Sequence, residues 1–264
     1  MRARINGIEV VYEDTGEGVP LLILGGFGAD RDFWVGATSA FPGYRIVTLD
    51  NRGVGETVYS AGFSVEDLAE DAFLLMRHLG IDRFNVLGWS MGSQIAQILA
   101  AHHSDSVMGL VLVSTYSRIP ARSDYLLRTL SRMAAEGDSS VESLAVAVNA
   151  FCCTESLFGE LRSTGTEMPL PDRVQDPKGL YDQTVAMSEC DSLPILGRIA
   201  APTLVVHGTE DLMVPFGCGE RVASCIAGAE LKAIDGEGHA MPLSLYAGDA
   251  MRIFDRAARA RRMC

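Results

Sequence analysis

Residues 84–101, FNVLGWSMGSQIAQILAA, constrain this chain more than any other stretch. Phe84, Val86 and Leu87 suit a buried strand, and residues 94–101 run without Gly or Pro through strong helix formers, which predicts a helix. Between them, Gly88-Trp89-Ser90-Met91-Gly92 reads G-x-S-x-G, the spacing of a sharp strand-to-helix turn that carries a serine at its tip. A side chain at position 88 or 92 would collide with the neighbouring strand or helix when the backbone turns this tightly. Ser90 would then stand at a helix N-terminus, where free N–H groups and the helix dipole favour developing negative charge. An ordinary loop with a capping serine fits the pentapeptide equally well. The two readings part on whether an acid and a histidine follow at the ends of later strands.

Ahead of the turn, Asn6-Gly7 predicts a hairpin over residues 3–12, because both positions tolerate positive φ. A polar loop over 14–18 leads to the apolar run 20–24, suited to a strand covered on both faces, which breaks into Gly25-Gly26-Phe27-Gly28. Residues 45–50 predict another strand. Over 64–79, Val65, Leu68, Ala69, Ala72, Leu75 and Met76 share one side of a helix, with Ser64 and Asp67 as a capping pair and Gly80 at its close. Residues 107–113 form the next strand. The character then changes: 126–135, 141–151 and 180–188 predict helices, 168–177 is Pro-rich and irregular, and no strand intervenes. Strands return at 203–207 and 231–234, and a C-terminal helix is predicted over 244–262. Alternating strands and helices imply an α/β fold with a mostly parallel central sheet flanked by helices, and active groups at the C-terminal strand ends. The expected organisation is a core over 1–116, a helical cap inserted over 117–193, and the rest of the core over 194–264.

A serine hydroxyl needs a base to take its proton, and the base needs an acid to hold its tautomer. Of the five histidines, His78, His102 and His103 fit helix faces or ends, and His207 lies in a predicted strand. His239 follows the last strand in the flexible loop Gly236-Glu237-Gly238-His239. Asp211, with Glu210 as its competitor, follows the strand at 203–207 within HGTEDLMVP. Ser90, Asp211 and His239 thus stand in the order Ser, Asp, His, one of three orders known for such triads.

Together, GWSMG, HGTEDLMVP, GEGH and LDNRGVG resemble the α/β-hydrolase superfamily over nearly the whole chain. The chain is most similar there to the small cofactor-free esterases and lactonases that include 3-oxoadipate enol-lactonase. The resemblance implies Ser90 as nucleophile, His239 as base and Asp211 as its partner, with an oxyanion hole made by the backbone N–H groups of Phe27 and Met91. It implies no cofactor and no metal. Gly25-Gly26 departs from the His-Gly pair that many members carry, which alters the support of the oxyanion loop. Arg52 matches a residue that braces loops. Trp34, Trp89 and Tyr116 are candidate pocket walls beside Phe27. The expected reaction is cleavage of a carboxylic ester or lactone of a small to medium, largely apolar substrate through an acyl-enzyme. Carbon–carbon bond hydrolysis and cofactor-free perhydrolase or haloperoxidase activity use the same triad.

Two readings from other classes compete. A ligand receptor on the same scaffold would keep the fold without turnover. A dinucleotide-binding oxidoreductase would use Gly25-Gly26-Phe27-Gly28 after a strand and Asp50 about 20 residues on. That match fails because Arg31 stands where the third glycine belongs, and Asp30 and Asp32 would face a pyrophosphate. A net charge of −12 argues against nucleic acid or an anionic membrane as the main partner. Arg252, Arg256, Arg259, Arg261 and Arg262 read as a solvated helix face. The six cysteines, Cys152-Cys153 among them as buried filler, show neither C-x-x-C pairing nor metal-finger spacing. With no signal-peptide core in MRARINGIEV and no apolar run of spanning length, a cytoplasmic location is expected.

Overall fold

The structure, a computed structural model, describes residues 1–60, 62–168, 170 and 173–260, with backbone alone at 259 and 260. Its strands are β1 (Arg2–Ile5), β2 (Ile8–Gly16), β3 (Val19–Leu24), β4 (Tyr44–Leu49), β5 (Phe84–Trp89), β6 (Val107–Val113), β7 (Thr203–Gly208) and β8 (Glu230–Ile234). They form one eight-stranded sheet in the order β1-β2-β4-β3-β5-β6-β7-β8. The first two pairings, β1 with β2 and β2 with β4, are antiparallel, and every other is parallel. Asn6 and Gly7 both take positive φ in the β1–β2 turn. Instead of ending at a polar loop, β2 continues to Gly16, because Asp14 sits opposite β4 and accepts a two-pronged hydrogen bond from Arg45 (2.8 and 2.6 Å). A partner on the next strand overrode the local polarity.

The helices are α1 (Ala37–Ala40), α2 (Val65–His78), α3 (Met91–His102), α4 (Ala121–Glu136), α5 (Val141–Cys152), α6 (Glu155–Thr164), α7 (Pro177–Glu189), α8 (Phe216–Cys225) and α9 (Ala247–Ala260). The apolar faces of α2, α3 and α8 cover one side of the sheet, and those of α1 and α9 cover the other. Leu21 to Leu24 of β3 are fully buried, as expected for a strand sandwiched between helical layers. Ser64 and Asp67 cap α2 reciprocally, Ser64 Oγ accepting the Asp67 N–H at 3.1 Å and Asp67 Oδ2 accepting the Ser64 N–H at 2.8 Å.

Between β6 and β7 lie α4 to α7 and, among the described residues, no strand. The helix α6 is not expected from the sequence, and it buries none of its residues, its apolar Leu157, Phe158 and Leu161 included. It forms on its caps: Thr154 Oγ1 accepts the Leu157 N–H at 3.2 Å, and Gly165 closes it in a left-handed conformation. The helix α8 likewise lacks a clear pattern in the sequence, diluted by Gly217 and Gly219. At the C-terminus a short 3-10 turn, Leu243–Leu245, precedes α9, which starts later than expected. Arg252 and Arg256 are exposed and pair with Glu230 of β8 (2.7 and 2.5 Å). The Arg259 side chain, Arg261, Arg262 and Cys264 lie outside the described residues. Among the described residues, no single helix is long and apolar enough to cross a membrane.

Arg52 braces the loop after β4 against α2. Its guanidinium donates to both Asp71 oxygens (2.6 and 2.8 Å), and Asn6 Nδ2 donates to the same carboxylate (2.9 Å). Both charges are buried, so removing one leaves the other unpaired in an apolar surround. Asp71→Ala should therefore cost about 3–5 kcal/mol in urea unfolding. Glu136→Ala, which breaks the exposed Arg132–Glu136 pair, should cost roughly 0.5 kcal/mol or less.

Candidate active site

The backbone turns between β5 and α3 at Ser90, which sits at φ 55°, ψ −120°. Positive φ in a non-glycine residue is strained and persists only where the surroundings over-determine it. Here they do. The Ser90 N–H donates to the Val113 carbonyl at the end of β6 (3.0 Å), and the Ser90 carbonyl accepts the Ser93 N–H (2.9 Å) and the Ser93 hydroxyl (2.6 Å). A Cβ at Gly92 would overlap the Leu24 carbonyl of β3, so α3 can start this close to the sheet only with glycine there. The loop after β3 crosses the turn equally closely: a Cβ at Gly26 would lie 3.0 Å from Ser90 Cβ.

Three strand ends converge on this point. Ser90 follows β5, Asp211 follows β7 and His239 follows β8, all at the C-terminal edge of the parallel sheet. Ser90 Oγ lies 2.8 Å from His239 Nε2, and His239 Nδ1 lies 2.8 Å from Asp211 Oδ2. An ionised carboxylate only accepts, so Nδ1 carries the proton and Nε2 is left to accept from the Ser90 hydroxyl. All three residues are buried. Burial pulls the Asp211 carboxyl upward. The electrostatic attraction of the His239 ring, with hydrogen bonds from His207, His239 and the Val214 N–H (2.7 Å), outweighs it and holds the group below the ordinary aspartate value. Glu210, the competing acid, is exposed.

The imidazole is held through its backbone. The His239 N–H donates to the Cys152 carbonyl at the end of α5 (2.8 Å), and the His239 carbonyl accepts from Trp89 Nε1 (2.9 Å) and Ser114 Oγ (2.7 Å). His207, which the sequence reading left in its strand, is fully buried against the same carboxylate. Its Nε2 lies 2.8 Å from the Val214 carbonyl and 3.2 Å from Asp211 Oδ2. A carbonyl can only accept, so that nitrogen bears the proton and supports Asp211 from a second side. The four-residue spacing of His207 and Asp211 was the available signal. His78 and His102 are exposed, and His103 pairs with Glu70 (3.0 Å).

On the loop after β3, the Gly28 N–H donates to Gln183 Oε1 of α7 (3.0 Å), and Gln183 Nε2 donates to the Arg52 carbonyl (2.9 Å). Gln183 thus clamps two core loops from within the insertion. Arg173 pairs with Asp30 (3.2 Å), Asp32 (3.1 Å) and Glu56 (3.1 Å), and Gln175 bridges Asp30 and the Gly55 N–H. The Asp50 carboxylate, the acid a dinucleotide site would need, is occupied by Arg31 and by the Glu56 N–H (2.8 Å).

Two hollows with part of their lining in common lie at the site, and the inner one borders Ser90. The inner one, of about 30 Å³, is lined by Ser90, His239, Trp89, Tyr116 and Phe27 among others. The outer one, of about 200 Å³, shares Phe27, Trp89, Val148 and Cys152 with it. Trp34 lines neither of these but a third hollow of about 300 Å³, together with Phe33, Trp89, Ala240, Met241 and Tyr246. Its indole packs into the opposite core layer with Phe41 and Tyr246, edge-on to Phe33 at 5.1 Å. Phe33 in turn stacks on Trp89 at 4.8 Å. Cys152 is buried at the junction of the hollows, and burial pushes its thiol well up.

A family model described as alpha/beta hydrolase fold matches residues 19–151. Among curated relatives, "Putative non-heme bromoperoxidase BpoC" of Mycobacterium tuberculosis is 27% identical over 242 residues, covering 88% of this chain and 91% of that protein. Among solved structures, the enol-lactonase from Burkholderia xenovorans superposes with a TM-score of 0.78 at 25% identity, covering 98% of both chains. A thermophilic esterase from Thermogutta terrifontis superposes with a TM-score of 0.77 at 26% identity, covering 100% of this chain and 98% of that one.

The ion pairs around Arg173, which lines the outer hollow, should make the stability of this region depend on pH. Hydrogen bonds from Arg31 and Arg173 lower the Glu56 pKa from 4.5 to about 2. A carboxylate depressed on folding stabilises above its unfolded value, and that contribution is lost as pH falls through the folded one. Glu56→Gln should lower the thermal midpoint at pH 6, and the gap from the parent should close as pH falls from 4.5 towards about 2, followed by tryptophan fluorescence.

Proposed function

The chain belongs to the α/β-hydrolase fold family, and on that premise we propose that it is a serine hydrolase cleaving a carboxylic ester or lactone through an acyl-enzyme. The observation that carries the reading is the unbroken hydrogen-bonded line from Ser90 through His239 to Asp211, buried yet bordered by a hollow. Ser90 Oγ attacks the carbonyl carbon while His239 Nε2 takes its proton, and Asp211 stabilises the imidazolium that forms. The carbonyl oxygen becomes an oxyanion held by the N–H groups of Phe27 and Met91. Two features support that pair. The next N–H of the loop, at Gly28, is already given to Gln183, and Met91 opens α3, where N–H groups have no intrahelical partner. Losing one such donor typically costs roughly 2.7–4 kcal/mol of transition-state stabilisation.

Collapse of the intermediate breaks the bond to the alcohol oxygen, which takes the proton from His239. Water then gives a proton to His239 and attacks the acyl carbon, and the bond to Ser90 Oγ breaks as the proton returns to it. No step requires a cofactor. The enol-lactonase and esterase neighbours support the ester and lactone class by what their names say of them. The similarity to BpoC favours a second reading on the same triad, in which peroxide replaces water as acyl acceptor. A receptor without turnover leaves unexplained why a strained serine, a tautomer-fixed imidazole and a buried carboxylate share one line.

Ser90→Ala should lower turnover of p-nitrophenyl acetate on the order of 10⁶-fold with nearly unchanged thermal unfolding. Asp211→Asn should lower it roughly 10⁴-fold by favouring the wrong imidazole tautomer. Substantial esterase activity in purified Ser90→Ala protein would remove Ser90 from the mechanism.

A further inference from the structure

The two hollows at the site differ in size, depth and access. The inner one borders Ser90 and His239 directly, and about 30 Å³ admits on the order of two or three non-hydrogen atoms. Tyr116, Ile119, Leu127, Met187, Met213 and Val214 wall it, and none is more than 8% exposed. Its further polar wall, Ser123, already donates its hydroxyl to the Met213 carbonyl. The wall that this hollow does not share with the outer one is thus mostly apolar and buried, which leaves the shared side as its way out. The outer one holds about 200 Å³ and reaches solvent between Phe33, Leu170 and Val174, which are 52%, 42% and 63% exposed.

The order of bond breaking assigns a part of the substrate to each. When the tetrahedral intermediate collapses, the alcohol departs with the His239 proton while the acyl group stays bonded to Ser90 Oγ. A group in a hollow with that one way out cannot leave past an acyl group that blocks it. The departing half must therefore occupy the side that opens to solvent, and the retained half the closed side. Resting on the serine-hydrolase reading, we propose that the substrate is an open-chain ester of a short apolar acid, acetyl or propionyl in size, with a larger and mostly apolar alcohol. The acyl group fills the inner hollow and the alcohol lies in the outer one, with Phe27, Trp89, Val148 and Cys152 forming the neck between them. A lactone fits this division poorly, because its alcohol oxygen remains tethered to the acyl half.

Two ester series test the assignment on the purified protein. In the first, p-nitrophenol is fixed and the acyl group grows from acetyl to octanoyl. In the second, acetyl is fixed and the alcohol grows from ethyl to octyl. The expected result is a fall in kcat/KM of roughly tenfold or more beyond propionyl in the first series, with no such fall in the second. Leu127→Ala, which enlarges the inner hollow alone, should move the acyl optimum to longer chains. Leu144→Ala, in the wall of the outer hollow alone, should change only the alcohol series. If Leu127→Ala does not fold, Leu127→Val and the two parent series carry the test. A fluorophosphonate that labels Ser90 is scored in parallel, which separates this inference from the reading it rests on. Labelled protein that prefers long acyl chains, or lactones over acetate esters, overturns the assignment of the hollows and leaves the serine hydrolase standing. Protein that fails to label overturns the serine-hydrolase reading, and the assignment with it.

Discussion

Everything in the candidate site depends on one backbone constraint, the positive φ at Ser90. A non-glycine residue in such a conformation costs roughly 1–3 kcal/mol. The surroundings offset that cost by packing β3, β5 and α3 closer than any side chain at Gly92 would allow, and by tying Ser90 to the end of β6. The same compression brings the loop at Gly26 against Ser90 and sets a helix N-terminus beside the hydroxyl. A relaxed turn would separate these groups, so the strain and the geometry of the site are one feature seen twice.

The second dependency is between core and insertion. His239 hangs from the Cys152 carbonyl, a backbone group of α5, and the loop after β3 is clamped by Gln183 of α7. Arg173 and Gln175 pin the segment before α7 to the loops around Asp30 and Gly55. The helices that wall the hollows thus also hold the groups that line up with Ser90. Changes in this insertion that alter what fits beside the serine are coupled to the placement of His239 through one carbonyl oxygen.

Much of the fold was legible because its signals are local. The apolar runs at 20–24 and 107–113, the Asn6-Gly7 turn and the Ser64–Asp67 cap each depend on a few neighbouring residues, and each appears where the pattern put it. The reading failed where a partner far along the chain decided the outcome. Asp14 is polar, yet lies in a strand because Arg45 waits across the ladder. Trp34, a candidate wall, lines a hollow with Phe33, Trp89 and Met241 that does not border Ser90, a matter of orientation that residue type does not encode.

For the site, the residue types and their order along the chain already named Ser90, Asp211 and His239, since a weak nucleophile, its base and an orienting acid leave few candidates among five histidines. Family membership followed from the same motifs. Tertiary structure alone decided that these side chains, up to 149 positions apart, meet at hydrogen-bonding distance. It alone supplied His207 behind Asp211, the Cys152 carbonyl behind His239, Gln183 behind the loop after β3, and the unequal hollows. The reason is physical: a motif fixes the chemistry of a side chain, whereas backbone carbonyls, second contacts and empty volumes come into being only when distant segments pack together.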